Sequence, residues 1–513
     1  MVREYIANVM QGQDVRKNLI ALKAACKDIN GKHAVLYAMN RQWEQFYQLL
    51  KDEDPKIRKN VAQILGQLGV QDSLTHLYEA YKREETLFVR GSYLAAMKEL
   101  DYRKYLEPLK ERLEQLKNMA VPEESRKHIQ EELRLLQDMI VTMEGYQKHS
   151  FTGWEEPSDV ILMTNRNFRQ VTADHLTDCE TQMLHAGVQV HTEHLKEIYQ
   201  IRTFSQLLFV LKDCRILKAG IPWETAKTKD MDLAAKQIAK QISDSSLLSF
   251  LEKRHQGKPP FYFRIECKSS MSLKQKSVFT RKLAFYLQQE TEESLLNSTS
   301  HYEVELRLIE NKSGDFHFLV KLFTYKDPRF SYRREAMSTS IQPPVAALVM
   351  ELAKDYLKEG AQVLDPFCGV GTMLIERSRF CETGDLYGVD LFGKGIQAAR
   401  RNTERAGLLV NYVNRDFFDF THTYLFDEVV TNMPRVIGKK TKEEITRLYE
   451  KFWEKIQTHL VNGGILLMYS YDGDILRETI LEEVFQMEEV FEISKKEGAC
   501  CYVIRYTGPD GNR

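Results

Sequence analysis

Along the first hundred residues apolar positions return every three or four places, the period of a helix with one buried face, and short polar breaks separate the runs. Val15-Arg16 opens one such segment, Asp54-Pro55-Lys56-Ile57-Arg58 a second and Leu87-Phe88-Val89-Arg90 a third. Each leads into a helix rich in Ala and Leu, clearest over residues 60–68, where Gly69 supplies the stop. Over residues 106–143 the period stays helical but charge rises, as in Glu107-Pro108-Leu109-Lys110-Glu111-Arg112-Leu113, which predicts a terminal cap or a solvated connecting helix. The period breaks at Phe151-Thr152-Gly153-Trp154-Glu155-Glu156-Pro157, a run of turn formers that marks a domain boundary. Beyond it, residues 159–164, 204–211, 261–267, 302–309 and 316–324 read as strands separated by helical stretches, an α+β pattern. Past residue 330 apolar strands alternate with helices, and residues 490–494 with 500–506 read as a closing antiparallel pair.

The three helical openings resemble HEAT-type repeats, in which a Pro starts the inner helix and an Arg lies along the stack. The resemblance implies about three helix pairs in a short solenoid, whose surface would receive RNA or a protein partner. The α+β stretch, in its strand order and in Ile201-Arg202-Thr203-Phe204-Ser205-Gln206, resembles a ferredoxin-like piece followed by a THUMP domain, which implies RNA binding. Lys268, Lys274, Lys276, Arg281 and Lys282 gather in it, either as phosphate contacts or as an ordinary solvated face. The expected division is a HEAT-like helical domain at 1–150, a ferredoxin-like and THUMP-like α+β region at 155–330, and a C-terminal α/β domain at 331–513.

Composition narrows the classes. The 72 Lys and Arg nearly cancel the 73 Asp and Glu, so any nucleic-acid contact must come from local patches rather than from a basic whole. With 43% hydrophobic and 28% charged residues, globular structure is expected throughout the 513 residues. No apolar run reaches the roughly 18 to 20 residues of a membrane span, and Met1-Val2-Arg3-Glu4-Tyr5 lacks the core of a signal peptide, so a cytoplasmic place without a membrane partner is expected. The eight cysteines are dispersed, with no metal-binding or disulfide spacing, and are expected to be reduced.

The sharpest chemical signal is Val363-Leu364-Asp365-Pro366-Phe367-Cys368-Gly369-Val370-Gly371-Thr372, a strand running into an acid, a glycine-spaced turn and a helix. Such a turn lets backbone amides approach a ligand at the positive end of a helix. It lacks the Gly-Lys-Ser/Thr of a phosphate-binding loop, and Asp365 would repel a pyrophosphate. A ligand bearing an ammonium suits that carboxylate better. Leu386-Tyr387-Gly388-Val389-Asp390 forms a second strand ending in an acid, placed to accept from ribose hydroxyls. Residues 410–417 form a third, where Asp416 would accept from an adenine amine and Phe417 would wall the ring. Three acids at three successive strand ends define one nucleoside crevice.

Asp365-Pro366-Phe367-Cys368-Gly369-Val370-Gly371-Thr372 with Ile375-Glu376 resembles the Asp-Pro-Phe-Cys-Gly-Ser-Gly-Thr motif of the THUMP-associated RNA guanine-N2 methyltransferases. The resemblance runs over residues 330–513 and implies a Rossmann-like, seven-stranded, mainly parallel sheet with S-adenosylmethionine across its edge. It also implies that the lead-in Ser338-Thr339-Ser340-Ile341-Gln342-Pro343-Pro344 lies against the cofactor through Ser340, Gln342 and Pro343, joined by Phe367, Cys368, Gly369, Gly371, Thr372 and Leu391. The fourth strand leads to Asn432-Met433-Pro434-Arg435, where amino-methylating relatives carry Asn or Asp, Pro, Pro and an aromatic. There the Asn side-chain carbonyl and the next backbone carbonyl accept the two hydrogens of an exocyclic amine and turn its lone pair toward the methyl group. Arg435 replaces the aromatic; its planar guanidinium suits a base face or a phosphate equally. Lys439, Lys440 and Lys442 follow as a basic loop or a solvated one.

The function expected is methylation of an exocyclic amine, guanine N2 foremost, in tRNA or rRNA. The departure at Arg435 leaves open a retired site in an RNA-binding or assembly factor, and a protein amide or DNA adenine as target. No Cys is placed for pyrimidine C5 chemistry, since Cys368 lies in the cofactor loop.

Overall fold

A computed structural model describes residues 2–40, 42–117, 119, 125–144, 149–177, 179–438 and 440–508. The chain divides into two compact units, Met1–Gln147 and Lys148–Arg513.

The first unit is helical. Val15–Ala25, Pro55–Leu68 and Leu87–Lys98 begin where the three amphipathic openings predict. Asp54 accepts from the Lys56 N–H and Pro55 occupies the first turn, where a missing N–H costs nothing; Gly69 then ends the helix. Leu106–Lys117 and Arg126–Glu144 pack into the same core through Leu109, Leu113, Leu136 and Met139. The solvated-connector alternative therefore fails: the charges lie outside an apolar stripe that is buried. Two carboxylates are buried with their partners. Glu84 accepts from Arg58 Nε and Nη2 at 2.8 and 2.6 Å and from Tyr93 Oη at 3.0 Å. Glu132 accepts from Tyr81 Oη at 2.6 Å and Arg112 Nε at 3.0 Å.

The second unit holds two large sheets. The first runs, edge to edge, Thr181–Leu184, Gly187–Thr192, Ser158–Thr164, Phe204–Val210, Phe316–Leu322, Val304–Glu310, Phe261–Lys268 and Leu295–Asn297, with Ile216–Leu217 paired to Phe316–Leu322. One continuous sheet thus spans the whole α+β region, joined in its middle at Val320 and Phe209. Helices Thr228–Ser243 and Leu273–Glu290 contribute Ala235, Ile238, Phe279 and Leu283 to its core. Of the predicted basic cluster, Lys274 and Lys276 lie on the second of these helices, and Lys282 pairs with Asp232.

The second sheet is built from β1 (Ala361–Asp365), β2 (Thr383–Asp390), β3 (Asn411–Asn414), β4 (Phe426–Asn432), β5 (Leu460–Ser470), β6 (Phe485–Ser494) and β7 (Ala499–Tyr506). Their order is β3-β2-β1-β4-β5-β7-β6; the first five are parallel and β7 runs antiparallel between β5 and β6. The two sheets are joined by polar and apolar contacts. Arg202 donates from Nε and Nη2 to the two oxygens of buried Glu376, both at 2.8 Å, and Tyr332 Oη donates to the same carboxylate at 2.6 Å. Asn165 and Asn167 side chains donate to the Ile493 and Glu492 carbonyls of β6, beside a Phe168–Phe491 edge contact.

Candidate active site

The strand order reverses at β1, whose neighbours are β2 on one side and β4 on the other. At such a reversal the connections leave in opposite directions and open a crevice at the carboxyl ends of the strands. A cavity of about 470 Å³ lies there, lined by Asp365, Asp390, Asp416, Asn432 and the loop between them.

Local geometry explains the loop. Gly369 and Gly371 have φ of +51° and +81°, backbone that side chains avoid, and the helix Thr372–Phe380 starts directly after the second. A Cβ on Gly371 would also stand 2.2 Å from the Tyr412 hydroxyl, which is itself bonded to Thr403. The Gly369 N–H donates to one Asp390 oxygen at 2.8 Å and the Phe392 N–H to the other at 2.7 Å. Asp390 thus holds the glycine turn in place, and each of its oxygens retains a lone pair for a ligand.

Asp365 is 1% exposed, and the Phe367 N–H at 3.1 Å is its one short backbone contact. Burial pushes its carboxyl up to about 7, and the neighbouring charge of Asp390 adds to the effect. A carboxylate this deep calls for a cation, and the ammonium of an amino-acid ligand is one that fits. Asp416 lies two residues beyond β3, which ends at Asn414 rather than at the acid; its side chain caps a short turn by accepting from the Phe418 N–H at 3.0 Å. Phe367, Phe417 and Phe418 give the adjoining wall its apolar character.

The fourth-strand segment shows what the site lacks by itself. Asn432 donates from Nδ2 to the Thr339 carbonyl at 3.2 Å, which points its Oδ1 the other way; that oxygen is buried and has no partner. The Thr372 hydroxyl is likewise buried and unpartnered. Both residues line the cavity. Leaving a buried acceptor unsatisfied costs about 1–3 kcal/mol, which a ligand donor would recover. Met433 is buried, and its N–H is tied to the Tyr469 carbonyl at 2.9 Å, which fixes the turn after β4. Arg435 lies over the Tyr471 ring, 4.0 Å from its centroid.

Most predicted site residues meet in this cavity: Ser340, Asp365, Phe367, Cys368, Gly369, Thr372, Asp390, Leu391, Asp416, Phe417, Asn432, Met433, Pro434 and Arg435. Three do not line it. Gln342 stands at the N-terminus of the helix Pro343–Leu352 without a side-chain cap bond and accepts from Arg333, Pro343 is buried in that helix's first turn, and Gly371 leaves room for Tyr412 where a Cβ would clash. The Cys368 thiol is held well above its ordinary range by burial, with the Asp365 and Asp390 charges adding, so it stays protonated and is no nucleophile. Lys440 lies at the mouth, Lys442 opens the helix Lys442–Ile456, and Lys439 falls outside the described residues. Sequence reasoning missed Thr339, which orients Asn432, and Tyr471, just past β5. The one signal for Tyr471 was its position at the carboxyl end of a parallel strand.

Residues 331–497 match the model of the RMKL-like methyltransferase domain family, and residues 43–118 match that of HEAT repeats. Over 156 residues the chain is 27% identical to a tRNA (guanine(10)-N2)-dimethyltransferase of Methanothermobacter thermautotrophicus, covering 30% of this chain and 45% of that protein. Over 142 residues it is 28% identical to a probable cobalt-precorrin-6B C(15)-methyltransferase of Saccharolobus solfataricus, covering 28% and 66%. The chain thus spans between about half and two thirds of these relatives' lengths. TrmN from Thermus thermophilus superposes with a TM-score of 0.50 at 17% identity, over 68% of this chain and 99% of that one, a likeness of fold. Residues 331–497 are therefore a methyltransferase domain, and the crevice at the carboxyl ends of its strands lies within them.

Proposed function

We propose that this chain is an S-adenosylmethionine-dependent methyltransferase acting on the exocyclic amine of an RNA base, guanine N2 foremost, in tRNA or rRNA. The observation that carries the proposal is the buried, unpartnered Oδ1 of Asn432, a residue that lines the same cavity as Asp365 and Asp390. Asp365 would take the cofactor's ammonium, Asp390 its ribose hydroxyls and Asp416 its adenine amine. When bound, the cofactor supplies an electrophilic methyl group on a sulfonium.

The chain's own residues do the remainder. Thr339 holds the Asn432 amide so that its oxygen accepts one hydrogen of the target amine. The Met433 carbonyl accepts the other, and the nitrogen lone pair is left in line with the incoming methyl. Positioning and desolvation of this kind account for large rate factors without a strong base. The RNA reading is supported by the tRNA-modifying relative and by the basic residues on Leu273–Glu290. On this reading the α+β region, as a ferredoxin-like and THUMP-like module, grips the RNA, and the helical repeats add a surface for RNA or protein. No described helix is long and apolar enough to cross a membrane, and a cytoplasmic place belongs to the same proposal.

The test is transfer of tritiated methyl to RNA from cells lacking this protein, followed by mass spectrometry of the nucleosides. Incorporation into one methylated base by the parent and none by Asn432→Ala is the expected result. Equal, background-level counts for both would overturn the proposal.

A further inference from the structure

The tetrad after β4 lacks an aromatic, yet the cavity does not. Tyr471, one residue past β5, enters the cavity wall beside Asn432, and the Arg435 guanidinium lies 4.0 Å over its ring. Several contacts hold this stack. The Val436 N–H donates to Asp472 Oδ2 at 2.9 Å, clipping the loop after β4 to the loop after β5 on either side of the stacked pair. The Asp472 N–H donates to Ser470 Oγ at 3.0 Å, which in turn lies 2.9 Å from Tyr449 Oη. From below, the Tyr471 ring meets buried Tyr469 edge-on at 5.4 Å and 89°. Among the ion pairs of the described residues, none engages Arg435, so no carboxylate draws the guanidinium off the ring.

We infer that Arg435, held over the Tyr471 ring, is the platform on which the target base stacks, a specificity element assembled from two strands in place of one aromatic residue. The inference rests on the proposed methylation of a base amine. A guanidinium plane prefers the face of an electron-rich heterocycle, and its free edges remain available to an oxygen on the ring or backbone. Guanine offers both an electron-rich face and an edge carbonyl, which ties the platform to the amine that Asn432 and Met433 would hold. Tyr471 is a positioning residue that works through Arg435.

The competing role for Arg435 is a phosphate ligand, and the two differ in what lysine can replace. The probe is 2-aminopurine riboside, a fluorescent purine with an exocyclic amine whose emission falls on stacking, titrated into the full chain with saturating S-adenosylhomocysteine. The expected result is quenching by the parent and by Tyr471→Phe. For Arg435→Lys and Tyr471→Leu, affinity should fall about tenfold, the scale of one stacking contact. Calorimetry with S-adenosylhomocysteine alone should give parent-like affinity for all three variants, which separates lost stacking from lost folding. On RNA, the same two variants should raise KM more than they lower kcat and leave the salt dependence of binding unchanged.

Absence of quenching in the parent would overturn the platform, as would parent-like binding by Arg435→Lys. A salt slope reduced by about one in Arg435→Ala, with Arg435→Lys intact, would assign the residue to phosphate instead. Failure of methyl transfer to RNA with quenching intact would strike the proposed substrate and leave the platform standing.

Discussion

The helical unit and the methyltransferase crevice both bury carboxyl groups, and they treat them in opposite ways. In the helical unit Glu84 is wrapped by Arg58, Tyr93 and the Thr86 N–H, and Glu132 by Tyr81 and Arg112. Burial alone would raise the Glu84 carboxyl, but these donors outweigh it and hold it below the ordinary carboxylate range. In the crevice Asp365 is buried without a cation and displaced upward to about 7. Nearby, the Asn432 and Thr372 oxygens have no partner. A buried polar group that is satisfied from within is a strut; one left unsatisfied beside a cavity is waiting for a ligand. The same contrast holds inside the catalytic domain itself, where Glu376 and Glu428 are fully engaged by Arg202, Tyr332 and Arg377.

The contrast is broken most severely by removing a strut. Glu84→Ala leaves the Arg58 guanidinium largely buried with no counter-charge, a change that costs about 3–5 kcal/mol in comparable sites. Chemical denaturation should register the loss, with S-adenosylhomocysteine affinity at the crevice unaltered in the folded fraction. In the parent, the depressed Glu84 carboxyl contributes stability that is fully present above its unfolded pKa and fades as pH falls through its folded one. A midpoint shift under about 1 kcal/mol in Glu84→Ala would mean that the cluster is not a strut.

Removing an unsatisfied group should do the reverse. Asn432→Ala deletes an acceptor that the free protein does not use together with one 3.2 Å bond to the Thr339 carbonyl, so stability should stay within about 1 kcal/mol of the parent. Methyl transfer, in contrast, should fall by about a hundredfold or more in kcat, because the amine loses the contact that orients it. A variant that is unstable and still active would invert the comparison.

How much of this was legible in the sequence follows from the range of the interactions involved. The glycine turn with Asp365, and Asp390 and Asn432 each at the end of its own strand, are legible from short local spacings, and the structure brings them to one cavity. Gly371 has the positive φ that such a turn requires, but the crowding that forbids a Cβ there comes from Tyr412, forty-one residues on, which spacing within the turn cannot report. The family likeness sets Gln342 and Pro343 against the cofactor, whereas neither lines the cavity: Gln342 is exposed at the start of the helix Pro343–Leu352 and Pro343 is buried in its first turn. The pattern over residues 410–417 predicts one strand, whereas β3 is Asn411–Asn414, since an acid before Phe-Phe reads as a strand end as readily as a turn cap. Tyr471 and Thr339 gain their roles only from neighbours across the sheet or 93 positions away in sequence, which periodicity cannot report. The α+β region was read strand by strand, but its continuity depends on the distant pairing of Val320 with Phe209.

The cofactor pocket offers a graded test between these extremes. In the free protein the Asp365 carboxyl is pushed up to about 7, so it is half-protonated near neutrality. An ammonium placed against it favours the charged form, and binding below that pH must therefore release a proton. Affinity for S-adenosylhomocysteine should accordingly weaken about tenfold per pH unit below 7 and level off above it, with proton release visible in buffers of different ionisation enthalpy. Asp365→Asn should bind more weakly and lose the pH dependence. A flat profile in the parent would remove Asp365 from the ligand contact.

The smallest effect sharpens the comparison from outside. Lys98 and Asp138 pair in the same helical unit as Glu84, but both side chains are more than a third exposed. Water already solvates each partner, so the pair gains little Coulomb energy and loses rotamer freedom in forming. Lys98→Ala should change stability by less than about 1 kcal/mol, and added salt should erase even that. If it matched Glu84→Ala in size, burial would not be what separates strut from ornament, and the unpaired atoms of the crevice would lose their meaning as well. If it falls near zero while Glu84→Ala is severe, the distinction rests on desolvation. That same desolvation makes an unpartnered Asn432 oxygen and an uncompensated Asp365 signs of a binding site rather than accidents of packing.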